Sequence, residues 1–350
     1  MKSKTTEEVS IMSKFKIAFI GCGAVTKTHY LAASQLENAE VIGVYDKNAS
    51  RAEDFAKEYG IGVFASMDEL LASDADIVGI CTPSGLHAPL SIQCLRAGKH
   101  VVVEKPLALT EDDCRAILAA EKKSGKICAP ISQLRYFDDM KKAKEILDSG
   151  KLGRPILCDL YMKYYRKPEY YAGSWRGTLA MDGGGALMNQ GIHGIDMMRF
   201  LVGEPKTIRG TVRTLVHNIE VEDTAVATVE FENGALGVIE GTTSVNPGYP
   251  RKIEIHCEKG SMIIHENRIV AIDSREIDHE PTALDYDSSS DPMNFPYEGH
   301  RRQYANLLAA LEGKEKLFYN TEDAMRSVQT VLAIYRSSRE DRAVCPFEAD

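Results

Sequence analysis

The 350-residue sequence lacks several features that define whole classes of protein. No apolar run approaches the ~20 residues of a membrane span. Residues 1–13 are polar and contain no signal-peptide core, so we expect them to form a disordered extension. Basic residues are in deficit, with 42 Lys and Arg against 51 Asp and Glu and a formal net charge of −9. Nucleic-acid binders usually carry a basic surface, so we expect no nucleic acid as a partner. The missing membrane span and signal peptide lead us to predict a cytoplasmic protein that has no membrane as a partner.

Residue pairs that would hold a metal ion or form a disulfide are missing too. The eight cysteines include no Cys-x-x-Cys pair, and several lie in strand-like runs, which favours reduced, buried thiols. His256 and His265 have no chelating spacing, and His217 has no evident partner. The Gly-x-Ser-x-Gly turn of many hydrolases is also absent. We therefore predict no metal site and no Ser-His-Asp hydrolase.

Short strands and amphipathic helices alternate through residues 14–134. Strands are predicted at 17–20, 41–45, 77–80, 101–103 and 127–129, with helices between them that include 49–59, 87–97 and 110–123. Thr110 and Asp113 stand in the positions of a capping box at the start of the last helix. Because the connections are short, the alternation predicts an α/β domain built on a doubly wound parallel sheet.

The pattern changes in residues 135–350. Helices are predicted at 138–148, 185–201, 298–311 and 321–338, and strands at 155–166, 207–216, 224–231, 235–243, 252–257 and 261–264. Gly234 closes a hairpin turn between two of these strands, and residues 273–297 have the composition of a loop. Consecutive strands joined by short turns predict an α+β domain with a mostly antiparallel sheet.

A phosphate-binding turn follows the first predicted strand. Gly21 and Gly23 match the first two glycines of Gly-x-Gly-x-x-Gly, and Thr26 replaces the third. Such glycines let the backbone approach a pyrophosphate, and the next helix offers N–H groups and a favourable dipole. Asp46 ends the second strand, where a carboxylate can accept hydrogen bonds from the adenosine ribose and repel a 2′-phosphate. We therefore predict NAD as the cofactor, although basic residues nearby leave NADP open.

Two more strand ends belong to the same edge of the predicted sheet. Thr82 and Pro83 follow the strand at 77–80, and His87 is predicted to pack on the cofactor. The strand at 101–103 ends in Glu104-Lys105-Pro106, and a lysine at a ligand-binding edge can act as an acid or a base. Taken alone, this lysine could equally be a surface residue. The predicted cofactor contacts are Gly21, Gly23, Ala24, Val25, Asp46, Lys47, Thr82, Pro83, His87, Glu104 and Lys105.

The helix predicted at 185–201 carries a group of polar side chains. Asn189 and His193 are four residues apart and would share one face, and Asp196 follows. A histidine can transfer a proton at neutral pH, whereas the asparagine can only form hydrogen bonds. Asp196 could either orient the histidine or be a surface charge. The glycine loop 183–185 would bring the start of this helix close to a ligand.

These motifs together resemble the glucose–fructose oxidoreductase/inositol dehydrogenase/rhizopine catabolism (Gfo/Idh/MocA) family. The resemblance extends from about residue 14 to 338 and implies a Rossmann domain followed by a domain whose large open sheet mediates homodimers or homotetramers. It also implies that Lys105 is the active-site lysine, that Pro106 is cis, and that His193 transfers the proton. Asn189 departs from the aspartate that inositol dehydrogenases carry there. The segment with Trp175 and Arg176 resembles one that lies over the cofactor and the substrate.

The sequence therefore leads to the hypothesis of an NAD(P)-dependent oxidoreductase. It would interconvert a secondary alcohol and a ketone on a sugar, a cyclitol or a sugar derivative. The predicted catalytic residues are Lys105, Asn189 and His193, and the predicted substrate contacts add Arg135, Tyr164 and Arg176. Two alternatives stay open at this stage: a glycosidase that oxidises its substrate transiently with NAD, and a non-catalytic regulator that responds to NAD.

Overall fold

A computed structural model describes residues 14–281, 283–284 and 296–347. The predicted extension at 1–13 therefore lies outside the described residues, as does most of the second half of the predicted loop 273–297. In the described ranges, no helix combines the length and the apolar character needed to cross a membrane.

Six parallel strands form the first sheet. They are β1 (Phe15–Ile20), β2 (Ala39–Tyr45), β3 (Gly62–Val63), β4 (Ile77–Ile80), β5 (His100–Val103) and β6 (Cys128–Pro130). Their order is β3-β2-β1-β4-β5-β6, so the chain runs outward from β1 in both directions. This topology confirms the predicted doubly wound sheet. The ligand-binding crevice of such sheets lies where the strand order reverses, at the carboxyl ends of β1 and β4.

The helices of this region are α1 (Ala24–Ser34), α2 (Ala49–Tyr59), α3 (Met67–Ala72), α4 (His87–Arg96) and α5 (Glu111–Ser124). Local sequence explains most of their ends. The Thr110 hydroxyl accepts a hydrogen bond from the Asp113 backbone N–H at 3.1 Å, and Gly125 ends α5 in the left-handed conformation. The short elements β3 and α3 were not predicted, because runs of two and six residues carry almost no periodicity.

The rest of the chain builds a seven-stranded sheet and four more helices in the described ranges. The strands are β7 (Pro155–Lys163), β8 (Pro205–Arg213), β9 (Thr224–Phe231), β10 (Leu236–Thr242), β11 (Lys252–Cys257), β12 (Gly260–His265) and β13 (Arg268–Ser274). The helices are α6 (Asp138–Asp148), α7 (Ile192–Val202), α8 (Glu298–Leu311) and α9 (Thr321–Glu340). The strand order is β13-β12-β11-β7-β10-β9-β8, and only β7 and β10 pair in parallel. The sheet is therefore mostly antiparallel, as predicted.

The packing departs from the prediction in two places. Strand β13 was not predicted, and its last two residues fall in the expected loop 273–297. Helix α8 follows the second sheet in sequence, yet Tyr304, Leu307 and Leu308 join the core of the first sheet. A division of the chain at residue 135 therefore does not describe how α8 packs.

One face of the second sheet is covered and the other is open. Along β9 the buried Ala225, Ala227 and Val229 alternate with outward residues such as Val226, which is 50% exposed. Helices α7 and α9 pack against the covered face. The start of α7 and the end of β7 face the carboxyl edge of the first sheet, and the two candidate cavities lie at this junction.

Candidate active site

A groove of about 820 Å³ follows the carboxyl edge of the first sheet. Its size is typical of small-molecule and cofactor sites. Of the predicted cofactor contacts, it brings together Gly21, Gly23, Ala24, Val25, Asp46, Lys47, Thr82, Pro83, Trp175 and Arg176, and Arg51 and Met181 also line it. Residues far apart in sequence thus form one continuous wall.

The turn at the start of the groove requires glycine at its first position. Gly21 has φ +93°, and a Cβ there would lie 2.6 Å from the Cys81 carbonyl oxygen. Thr26 replaces the third glycine of the motif without disturbing the turn, because its buried hydroxyl donates a hydrogen bond to the Gly21 carbonyl at 2.8 Å. No side chain caps α1, so the first N–H groups of that helix can bind a phosphate.

Two backbone N–H groups hold the Asp46 carboxylate at the far wall of the groove. The N–H of Cys22 donates to Oδ2 at 2.9 Å, and the N–H of Asn48 donates to Oδ1 at 2.8 Å. Each carboxylate oxygen can accept more than one hydrogen bond. Asp46 is therefore oriented by the protein and can still accept hydrogen bonds from a pair of ribose hydroxyls.

Replacing Asp46 by alanine is expected to lower the preference for NAD over NADP. The variant loses acceptors for the ribose hydroxyls and the charge that repels a 2′-phosphate, so the ratio of kcat/KM for NAD⁺ to that for NADP⁺ should fall roughly 10-fold. Glu53→Ala is the matched control, because Glu53 is an exposed carboxylate on α2 outside the groove. An unchanged ratio in Asp46→Ala would contradict the assignment.

His87 does not line the groove, which corrects the prediction that it packs on the cofactor. The ring is buried, with Nδ1 2.6 Å from the Pro106 carbonyl oxygen and Nε2 3.0 Å from the Thr82 carbonyl oxygen. It therefore connects two loops of the site instead of touching a ligand.

The Lys105–Pro106 bond is cis, as the resemblance implied.

A second cavity opens beside the groove, and Val25, Thr82, Trp175 and Arg176 line both. Of the predicted site residues, it also collects Glu104, Lys105, Tyr164, Asn189 and His193. The Lys105 ammonium donates a hydrogen bond to the Asn189 carbonyl at 2.8 Å, and its Nζ is 3.5 Å from Asn189 Oδ1. The lysine therefore points across the cavity from the first sheet to the start of α7.

The His193 imidazole faces this cavity from the first turn of α7. It forms no hydrogen bond with any residue that the structure describes. Burial and the nearby Lys105 and Arg251 lower the pKa of His193 to about 3. The ring is therefore neutral at physiological pH, and one ring nitrogen can accept a hydrogen bond from a bound hydroxyl.

The prediction that Asn189 and His193 lie on one regular helix is wrong. Residues Ala186–Gly191 form a π-helical turn, and the α-helix begins at Ile192. Close packing requires two of the glycines before it. A Cβ at Gly185 would lie 1.9 Å from the Glu222 carbonyl oxygen, and one at Gly184 would lie 2.2 Å from the Tyr335 hydroxyl.

The Glu222 side chain closes this turn. Its carboxylate accepts hydrogen bonds from the N–H groups of Gly185 and Leu187 at 2.9 and 2.8 Å and from the Tyr335 hydroxyl at 2.8 Å. Wide π-helical turns frequently occur at functional sites. Here the turn aims the Asn189 carbonyl at Lys105.

The Arg135 guanidinium is paired with the Asp196 carboxylate in the interior, which corrects the prediction that Arg135 contacts the substrate. The Arg135 guanidinium donates to both Asp196 oxygens, at 2.9 and 2.7 Å, and both residues are at least 95% buried. The Ser327 hydroxyl donates to the same carboxylate at 2.9 Å. Arg135 is absent from the lining of the cavity, and Asp196 neither orients His193 nor faces solvent. The pair connects the short helix after β6 with α7 in the interior of the protein.

Glu104 is held by two histidines that sequence reasoning missed. His29 Nε2 is 2.9 Å and His300 Nε2 3.4 Å from Glu104 Oε1, and the Lys105 N–H donates to Oε2 at 3.1 Å. Burial alone would raise the pKa of Glu104, but these hydrogen bonds hold it well below its usual range. A buried carboxylate therefore directly precedes Lys105 in the chain.

Other lining residues were also missed, namely Gln133, Arg166, Tyr170, Gln190, Arg251, Glu266 and His300. Arg166 could have been found, because it follows Tyr164 by two positions at the end of one extended segment and so shares its side. His300 carries no such signal, since it lies 196 residues from Glu104 in sequence.

Comparison with known proteins places this geometry in a family. Residues 15–131 match the oxidoreductase family with an NAD-binding Rossmann fold, and residues 140–263 match the GFO/IDH/MocA C-terminal domain. The crystal structure of the WlbA dehydrogenase from Bordetella pertussis, in complex with NADH and UDP-GlcNAcA, is 30% identical, with a TM-score of 0.87 over 97% of this chain and 99% of that one.

Curated relatives agree with this match. The uncharacterized oxidoreductase YrbE of Bacillus subtilis is 29% identical over 81% of this chain and 82% of its own length. The myo-inositol 2-dehydrogenase of Thermotoga maritima is 26% identical over 94% of this chain and 98% of its own length. The dinucleotide groove, the lysine at the end of β5 and the histidine of α7 thus occur on a shared two-domain fold. The chain belongs to the Gfo/Idh/MocA family of NAD-dependent oxidoreductases.

Proposed function

We propose that this protein interconverts a secondary alcohol and a ketone on the ring of a sugar, a cyclitol or a sugar derivative. One observation carries the proposal: Lys105 and His193 face the same cavity, which adjoins the groove that contains Gly21 and Asp46. The relatives named above include an inositol dehydrogenase and a dehydrogenase crystallised with a nucleotide sugar. Ring compounds with several hydroxyl groups are therefore the substrate class to test.

The residues of the groove fit a dinucleotide. The turn at Gly21 and the uncapped start of α1 suit a pyrophosphate, and Asp46 suits an adenosine ribose. When bound, the nicotinamide supplies the acceptor or donor of hydride. Trp175 and Arg176 lie where the groove meets the substrate cavity.

The residues of the chain supply the proton chemistry. Neutral His193 takes the proton of the substrate hydroxyl during oxidation and returns it during reduction. The Lys105 ammonium donates a hydrogen bond to the same oxygen and stabilises the negative charge that develops there. Asn189 holds Lys105 through its carbonyl oxygen. Tyr164, Arg166, Tyr170 and Gln190 provide polar groups for the remaining hydroxyls.

A substrate screen tests the proposal. The purified protein with NAD⁺ is offered cyclitols, aldoses, anhydrosugars, uronic acids and nucleotide sugars, and the formation of NADH is followed by absorbance. We expect reduction of NAD⁺ with at least one ring polyol and formation of the matching ketone. Cleavage of a glycosidic bond without net NADH would instead favour the transient-oxidation glycosidase. Tight binding of NADH with no turnover across the panel would favour the regulator.

We also propose that the open face of the second sheet mediates assembly into dimers or tetramers. No helix among the described residues covers this face, and the apolar Val226 and Leu236 on it are 50% and 57% exposed, so a second copy of the chain can pack there. The molar mass from light scattering distinguishes an assembly from a monomer.

A further inference from the structure

Asp182 is buried beside the active site but lines neither of its cavities. It is 1% exposed, and both oxygens accept hydrogen bonds. The Gly177 N–H donates to Oδ2 at 2.8 Å, and the Asn189 side-chain amide donates to Oδ1. The carboxylate therefore joins the segment over both cavities to the turn that holds Lys105.

The contact to Asn189 decides which way that amide faces. Since the amide nitrogen donates to Asp182, the amide oxygen must face the other way. There it lies 3.5 Å from Lys105 Nζ and accepts a hydrogen bond from Gln190 Nε2 at 3.2 Å. A carboxylate can receive donors on both oxygens, whereas an amide at position 182 has one acceptor for two donors.

We propose that Asp182 is a positioning residue for the oxidoreductase reaction, orienting the Asn189 side chain so that its amide oxygen faces the Lys105 ammonium. A role of Asp182 in catalysis rests on the proposed function. Asp182 also ties Gly177, next to Arg176, to the same unit. The position of the segment over the cofactor groove and the position of the lysine are thereby linked.

The charge of Asp182 provides a readout that a purely structural role would not affect. Burial lowers the pKa of Lys105, while the Glu104 and Asp182 carboxylates oppose this shift. Since the ammonium form is needed to stabilise an oxyanion, activity should fall at high pH as Lys105 loses its proton, below the ordinary lysine range. The charged or titratable groups that act on Lys105 or line the same cavity are Glu104, Asp182, Arg166, Arg176, Arg251, Glu266, Tyr164, Tyr170, His87, His193 and His300.

The first experiment replaces Asp182 by asparagine. Removing one carboxylate should lower the pKa of Lys105 further, so the alkaline limb of kcat/KM should move to lower pH than in the wild type. Because one buried donor loses its acceptor, kcat should also fall roughly 10- to 100-fold. Asp223→Asn is the matched control: Asp223 is equally buried and accepts three backbone N–H groups. It should not move the limb.

The second experiment exchanges donor and acceptor. Asn189→Asp alone places two carboxylates face to face and should lower kcat as well. The double variant D182N/N189D restores a complementary pair: the amide at 182 accepts from Gly177 and donates to the carboxylate at 189, which then faces Lys105. We expect kcat to recover above that of either single variant, and the alkaline limb to return to higher pH. Independent losses in the double variant, with the fold intact by circular dichroism, would overturn the proposal.

Chemical labelling of Lys105 tests the role of Asp182 independently of the proposed function. The rate at which an amine-acylating reagent modifies Lys105, measured by peptide mass spectrometry against pH, reports the pKa of Lys105 without any substrate. A lower midpoint in D182N, combined with no turnover in the screen, would refute only the proposed function. An unchanged midpoint would refute the role of Asp182, whatever the screen finds.

Discussion

Alanine at His193 is expected to lower kcat by about 10²–10⁴-fold while leaving NADH binding intact. The imidazole faces the substrate cavity and is absent from the lining of the cofactor groove, so its loss removes the proton acceptor but no dinucleotide contact. Turnover is measured at saturating substrate, and NADH binding by fluorescence titration. His265→Ala is the matched control, because His265 lies on β12 and lines neither cavity. It should turn over at the wild-type rate.

Lys105→Ala belongs to the same prediction. It removes the donor to the substrate oxygen and should lower kcat by about 10²–10³-fold. The alkaline limb that we assign to Lys105 should disappear from the residual activity of this variant. Near-normal rates in both variants, with the true substrate, would refute the assigned roles. Loss of NADH binding together with activity would instead place Lys105 chiefly in the cofactor site.

Replacing Arg135 by methionine is expected to be the most destabilising single change considered for this protein. The substitution leaves the Asp196 carboxylate buried without its main counter-charge, and breaking a buried pair in this way typically costs about 3–5 kcal/mol. The midpoint of urea unfolding measures the effect. Arg154→Met is the matched control, because Arg154 pairs with Glu258 on the surface, where both side chains are at least 46% exposed. Exposed pairs contribute little.

The same variant separates structural from catalytic roles. Arg135 is absent from the substrate cavity, so the folded fraction of Arg135→Met should keep its kcat. A normal unfolding midpoint with a large loss of kcat would restore the original expectation that Arg135 contacts the substrate. Arg199 lies 3.6 Å from Asp196 and can partly compensate for the guanidinium that Arg135→Met removes. This compensation reduces the loss of stability.

Local patterns were sufficient where one segment determines its own structure. The valines of β5 predicted a buried parallel strand, Thr110 predicted the start of α5, and Gly234 predicted the β9–β10 hairpin. They failed where a short segment depends on its neighbours. Among the described strands, β13 pairs with β12 alone, and this pairing makes a weakly patterned segment extended. The π-helical turn before α7 depends on Glu222, which is remote in sequence from the turn it closes.

The sequence was enough to predict the two sheets and the glycine turn at Gly21, and to select Lys105 and His193 as candidates, because periodicity and backbone preference are local properties. Which polar groups are partners depends on the tertiary structure. It pairs Arg135 with Asp196, places His300 on Glu104, and sets Asp182 behind Asn189. Partner choice depends on how helices and loops pack across the two sheets, and a buried charge binds whichever complementary group that packing brings within reach.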